Sequence, residues 1–242
     1  MKPLCILQTG HTFADLAAEQ GDFADWIAQN LPSTVPLIQV AVMEGQALPD
    51  YAQLSGAIIT GSHAMVTDNL PWSLALEAWL RGAKAFGLPV LGICYGHQLI
   101  AKAFGGEVDF HPQGIELGSV RVQKKAAAQQ DPLLADLPTE FIAQVTHSQT
   151  VVKLPPDSTA LAENAHDAHQ AFRLGEAIWG LQFHPEFSAA ICRYYVEQQL
   201  EAIALSGQNP EQLLQQVQAG PESQQILRRF ANFALSQQQD SI

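Results

Sequence analysis

The stretch Val90-Leu91-Gly92-Ile93-Cys94-Tyr95-Gly96-His97-Gln98 constrains this chain most, because a short apolar run ends in a glycine-flanked cysteine and opens directly into helical spacing. Glycines two before and two after Cys94 allow a sharp turn between strand and helix, which projects the cysteine at the top of a sheet. The helix N-terminus behind it favours thiolate and leaves free backbone N–H groups nearby. Acyl transfer through sulfur requires both.

A nucleophilic cysteine needs a base, expected elsewhere in the sequence and brought close by the fold. Ile178-Trp179-Gly180-Leu181-Gln182-Phe183 reads as a strand, and His184-Pro185-Glu186 follows at its C-terminal end. Pro185 blocks helix continuation and biases His184 toward extended backbone, so His184 and Glu186 can point the same way. In triad roles, Cys94 attacks, His184 takes the thiol proton and later protonates the leaving amine, and Glu186 fixes the imidazole tautomer.

Strands and helices alternate along the chain, which predicts a parallel sheet with crossover helices on both faces. Residues 4–8, 36–43, 57–60 and 90–93 read as strands, and 13–29, 72–86 and 95–104 as helices, the last stopped by Gly105-Gly106. Between residues 107 and 174 the pattern loosens into short alternating segments such as Gly118-Ser119-Val120-Arg121-Val122 and Phe141-Ile142-Ala143-Gln144-Val145, read as antiparallel strands added to one side. Ligands of such sheets bind beyond the C-terminal ends of the strands, where Gly61, Cys94 and His184 fall. The tail is glutamine-rich, broken by Pro210 and Pro221, and spaces Ile226, Phe230 and Phe233 at i, i+4 and i+7, the stripe of an amphipathic helix. Docking on its own domain is the first reading of that stripe, and a partner surface the second. The division expected is a domain over 1–206 and a helical extension, packed on it, over 207–242.

A chain of 242 residues, 47% hydrophobic, is long enough for one large α/β domain. Its net charge of −12 argues against nucleic acid or an anionic membrane as partner, since phosphate binding needs concentrated positive charge. Met1-Lys2-Pro3 leads straight into a strand with no signal-peptide core, and no 18-residue apolar run occurs, so a cytoplasmic location is expected. Three cysteines suit a reducing compartment, with Cys5 and Cys192 read as core filler. His166 and His169 lack companions with ligand spacing and are read as exposed loop or strand residues, so no metal is expected. His11 and His63 are placed at the border of the pocket, His97 on the elbow helix pointing away from the sulfur.

Taken together, Gly92-Ile93-Cys94-Tyr95-Gly96-His97-Gln98 and Gln182-Phe183-His184-Pro185-Glu186-Phe187, in this order, resemble the paired signatures of class I glutamine amidotransferases, the glutaminase domains of which GMP synthetase carries one. The resemblance runs from about residue 4 to about residue 196. It implies a flavodoxin-like, three-layer fold and cofactor-free hydrolysis of a small γ-glutamyl amide through a thioester on Cys94. It also implies that Ala57-Ile58-Ile59-Thr60-Gly61-Ser62 supplies one oxyanion N–H, from Gly61, with the second from Tyr95. Gln98 matches a position that contacts bound glutamine. Thr146-His147-Ser148-Gln149 matches a segment that holds the glutamine α-amino and carboxylate groups, with Ser148 and Gln149 nearest. The GMP synthetase pattern has glycine then aspartate at those last two positions, and the departure removes the basis for a strict preference for free glutamine.

The segment from Gly61 to Trp72 resembles instead the loop of stand-alone class I amidotransferase-like proteins. No Walker-type or pyrophosphatase-type phosphate loop is present for activating an acceptor. Either a separate synthase subunit does that work or the chain is a hydrolase in its own right. A non-catalytic binding protein on the same scaffold is the third reading, against which Cys94, His184 and Glu186 argue.

Overall fold

On strand β1 (Leu4–Gln8), Leu4 and Ile6 enter one apolar cluster while Cys5 and Leu7 enter another, and all four are buried. A strand buried on both faces needs helices on both sides. The computed structural model, which describes residues 1–237, meets that need with one nine-stranded mixed sheet, ordered β2-β1-β3-β4-β11-β10-β9-β6-β7. Here β2 is Leu37–Ala41, β3 Gly56–Ile59, β4 Val90–Ile93, β6 Glu116–Lys124 and β7 Glu140–His147. The remaining members are β9 (Ser158–Glu163), β10 (Ala171–Leu174) and β11 (Ile178–Leu181). Strands β2, β1, β3, β4 and β11 are mutually parallel, and antiparallel pairing begins at β11–β10 and continues through β9, β6 and β7. The antiparallel extension is thus a continuation of the same sheet. A separate antiparallel pair joins β5 (Glu107–Phe110) to β8 (Gln149–Lys153).

On one face, α2 (Phe23–Asn30) and α8 (Pro221–Ser236) pack with Leu4, Ile6, Ile58 and Leu91. On the other, α3 (Pro71–Phe86) and α4 (Tyr95–Ala103) pack with Cys5, Leu7, Ile59 and Val90. Helix α8 carries the apolar stripe of the tail: Ile226 and Phe230 are fully buried, and half-buried Phe233 lies edge-on to Trp179 at 5.0 Å. Residues 238–242, part of the expected 207–242 extension, lie outside the described residues. Helices α5 (Ala189–Gln198), α6 (Leu200–Leu205) and α7 (Pro210–Gln216) link the last strand to α8. Among the described residues no helix is long and apolar enough to cross a membrane.

Several local expectations are corrected. Residues 13–29 form two helices, α1 (Ala14–Gln20) and α2, because Gly21 turns the chain at φ 84° and Asp22 caps α2 in a capping box with Asp25. The second strand stops at Ala41, where residues 42–44 wind into a 3₁₀ turn closed by Gly45 at φ 81°. His166 and His169 are half-buried rather than exposed: His166 stacks on His111 at 3.9 Å, and His169 Nδ1 bonds the Val151 carbonyl at 2.7 Å.

Candidate active site

Between β4 and α4 the chain turns on Cys94, which adopts φ 48°, ψ −96°, a region that costs an L-residue of order 1–3 kcal/mol. The two glycines do not carry that strain. A Cβ on Gly92 would sit 2.4 Å from the Gly96 carbonyl, and one on Gly96 would sit 2.8 Å from the Ile59 carbonyl oxygen. They are glycine so that the first turn of α4 can close onto β4 and β3, while the cysteine itself takes the left-handed angle. The Cys94 N–H donates to the Leu181 carbonyl at 2.7 Å, tying the turn to the strand that leads to His184.

Gly92 pairs with Gly180 and Ile93 with Leu181, so the elbow and the 184–186 segment leave the same sheet edge side by side. The His184 N–H donates to Gln144 O at 2.8 Å, and its Nδ1 lies 2.7 Å from Glu186 Oε1, the spacing of a proton shared with a carboxylate. Phe187 stacks on the imidazole at 4.1 Å. Burial alone would lower the His184 pKa. The charges of Glu186 and Cys94, with the hydrogen bond to Glu186, override it and raise the imidazole to about 10. The surroundings of His184 thus favour the protonated ring. Its Nε2 has no hydrogen-bond partner among the described residues, and the Cys94 thiol lies 3.7 Å from the Thr146 carbonyl oxygen.

These groups open into a cavity of about 300 Å³, into which Cys94 shows 7% of its surface. Tyr95, Gln98, Ser148 and Gln149 line it. Tyr95 contributes through its position at the start of α4, since its hydroxyl turns away to Ser73 Oγ at 2.6 Å. Its N–H is one of the helix's first donors, which have no intrahelical acceptor. The amide of Gln98 donates to Gln149 O at 2.8 Å and Gln182 Oε1 at 3.0 Å, and that of Gln149 holds Val66 N–H and Thr67 Oγ1. Both side chains brace the walls. Gly61 itself is not among the lining residues, and a Cβ there would come within 2.8 Å of His184 Cε1. A side chain at 61 would therefore press on His184.

His63 lies at the cavity rim, while His11 does not line it and instead bonds Asp22 at 2.6 Å. His97 is buried against Phe172 at 4.9 Å, and burial pushes its pKa down to about 3. Burial likewise raises Cys5 and Cys192 to about 12, as inert core thiols require. Two features were not read from the sequence. One is the buried pair of His147 Nε2 and Glu116 at 2.9 Å, with His147 Nδ1 on Gln149 O, which outweighs burial and raises His147. The other is an aromatic wall of Phe13, Phe23 and Tyr195. Neither has a local signal, because Glu116 and His147 lie on different strands and the aromatics read as ordinary helix faces.

The family model for glutamine amidotransferase class-I matches residues 40–198. A GMP synthase (glutamine-hydrolysing) subunit from Methanococcus maripaludis is 30% identical over 186 residues, 76% of this chain and 88% of that protein. A GMP synthase from Thermomicrobium roseum is 38% identical over 131 residues, 54% of this chain but only 23% of that protein, so the chain spans about a quarter of its length. The crystal structure of a glutamine amidotransferase from Methylobacillus flagellatus superposes with a TM-score of 0.74 at 26% identity, covering 100% of this chain and 96% of that one.

Proposed function

We propose that this chain, which belongs to the class I glutamine amidotransferase family, hydrolyses a γ-glutamyl amide through a thioester on Cys94, with His184 and Glu186 completing a Cys-His-Glu triad. The observation that carries the reading is the convergence of a strained Cys94 and a carboxylate-held imidazole, Glu186 Oε1 to His184 Nδ1 at 2.7 Å, on one cavity. Cys94 Sγ attacks the γ-carbonyl carbon, and the N–H groups of Gly61 and Tyr95 receive the oxyanion. Collapse breaks the C–N bond as His184 gives its proton to the departing amine. Water then attacks the thioester, His184 accepts the water proton, and glutamate leaves with the sulfur restored. Gln98, Ser148 and Gln149 shape the end that receives the glutamyl group.

A second reading is favoured by the M. maripaludis relative, which is named as one subunit of its enzyme: the chain would be the glutaminase component of a cytoplasmic two-part enzyme, active only with a synthase. Incubation of the purified protein with glutamine and γ-glutamyl compounds, followed by mass spectrometry of Cys94, tests both. Turnover by the chain alone, with an acyl adduct on Cys94, supports the hydrolase. Turnover only after addition of a synthase supports the two-part enzyme. Turnover that survives Cys94→Ala refutes the thioester mechanism in either form.

A further inference from the structure

Release of ammonia from glutamine asks for little room on the leaving-group side of His184, since a molecule of water size occupies about 30 Å³. The cavity of about 300 Å³ must seat the glutamyl group as well, and its wall beside His184 is aromatic. Phe23 lies 6.2 Å from the His184 ring and 6.2 Å from His63. Phe13 lies 4.8 Å from His63 and 5.1 Å from Tyr195, whose hydroxyl is 3.2 Å from His63 Nε2. Burial and the neighbouring His184 charge lower the His63 pKa, so this wall is neutral. Among the described residues no Asp, Glu, Lys or Arg lines the cavity, which leaves no carboxylate for a cationic amine portion and, histidines apart, no cation for an anionic one.

We infer that Phe13 and His63, backed by the buried rings of Phe23 and Tyr195, form a subsite for an uncharged aromatic amine portion of the substrate, so that a γ-glutamyl arylalkyl amide is preferred over glutamine. The inference rests on the thioester reading above, with the glutamyl group toward residues 146–149 and the amine toward His184.

The test compares L-glutamine, γ-glutamylmethylamide and γ-glutamylbenzylamide on the full chain, together with Phe13→Ala and His63→Ala. Burial of a ring against an aromatic wall is expected to give the benzylamide at least about a tenfold higher kcat/KM than the methylamide. Phe13→Ala should bring that ratio down to within about threefold. His63→Ala, at the rim and outside the core, should lower it in the same direction and guards against a folding defect in the first variant. Equal kcat/KM for the benzylamide and the smaller amides overturns the subsite while leaving the thioester reading intact, as does a Phe13→Ala loss of equal size on both substituted amides. No turnover and no Cys94 adduct with any of the three overturns both.

Discussion

Gly61→Ala should disable catalysis without touching a reacting atom. The added Cβ would lie 2.8 Å from His184 Cε1, against an ordinary carbon–carbon contact of about 3.5 Å, so the ring must retreat by about 0.7 Å. It has little freedom to do so: Glu186 holds Nδ1 at 2.7 Å, and Phe187 covers one face at 4.1 Å. Misplacing a catalytic group by about 1 Å can cost on the order of 100-fold, so a fall in kcat approaching 100-fold, close to 2.7 kcal/mol in the barrier, is expected. Because Gly61 is not itself a lining residue, KM should change much less. The assay is steady-state hydrolysis of a γ-glutamyl amide, with thermal unfolding as a check that the variant is folded. Wild-type kcat in a folded Gly61→Ala protein would refute the placement of His184 against this backbone.

Glu186→Gln removes the leading support for the His184 proton. The alkaline limb of kcat/KM, expected near pH 10 in the parent, should then move toward the ordinary imidazole range, and ¹⁵N NMR of the ring should follow it. Because the folded value lies above the unfolded one, the pair stabilises the fold fully below pH about 6.5, and that stability is lost as pH rises toward 10. Glu116→Ala leaves His147 buried without its carboxylate, and urea unfolding should report a loss of about 3–5 kcal/mol. Phe230→Ala empties a fully buried site under the sheet, where a loss of about 3–5 kcal/mol is expected by the same measurement with catalysis retained per folded molecule.

How much of this was legible depended on whether the controlling interactions are local. The elbow was readable because Gly92, Cys94 and Gly96 lie within five residues, although the sequence suggests that the glycines relieve the turn. In space they permit close approach, and Cys94 bears the left-handed angle. The break at Gly21 and Asp22 was missed because apolar periodicity continues across it, whereas capping is decided by a single aspartate.

The alternating α/β plan, the strand-to-helix cysteine and the two-residue spacing that lets Glu186 reach His184 are all legible in the residues, because backbone geometry over a few residues is set by local sterics and period. That His184 packs against Gly61, that Glu116 pairs with His147, and that Phe13, Phe23 and Tyr195 meet beside His184 emerges only in the folded chain. Each of those contacts joins distant parts of the chain through burial against the sheet edge. Burial depends on which faces meet, and no local spacing records that.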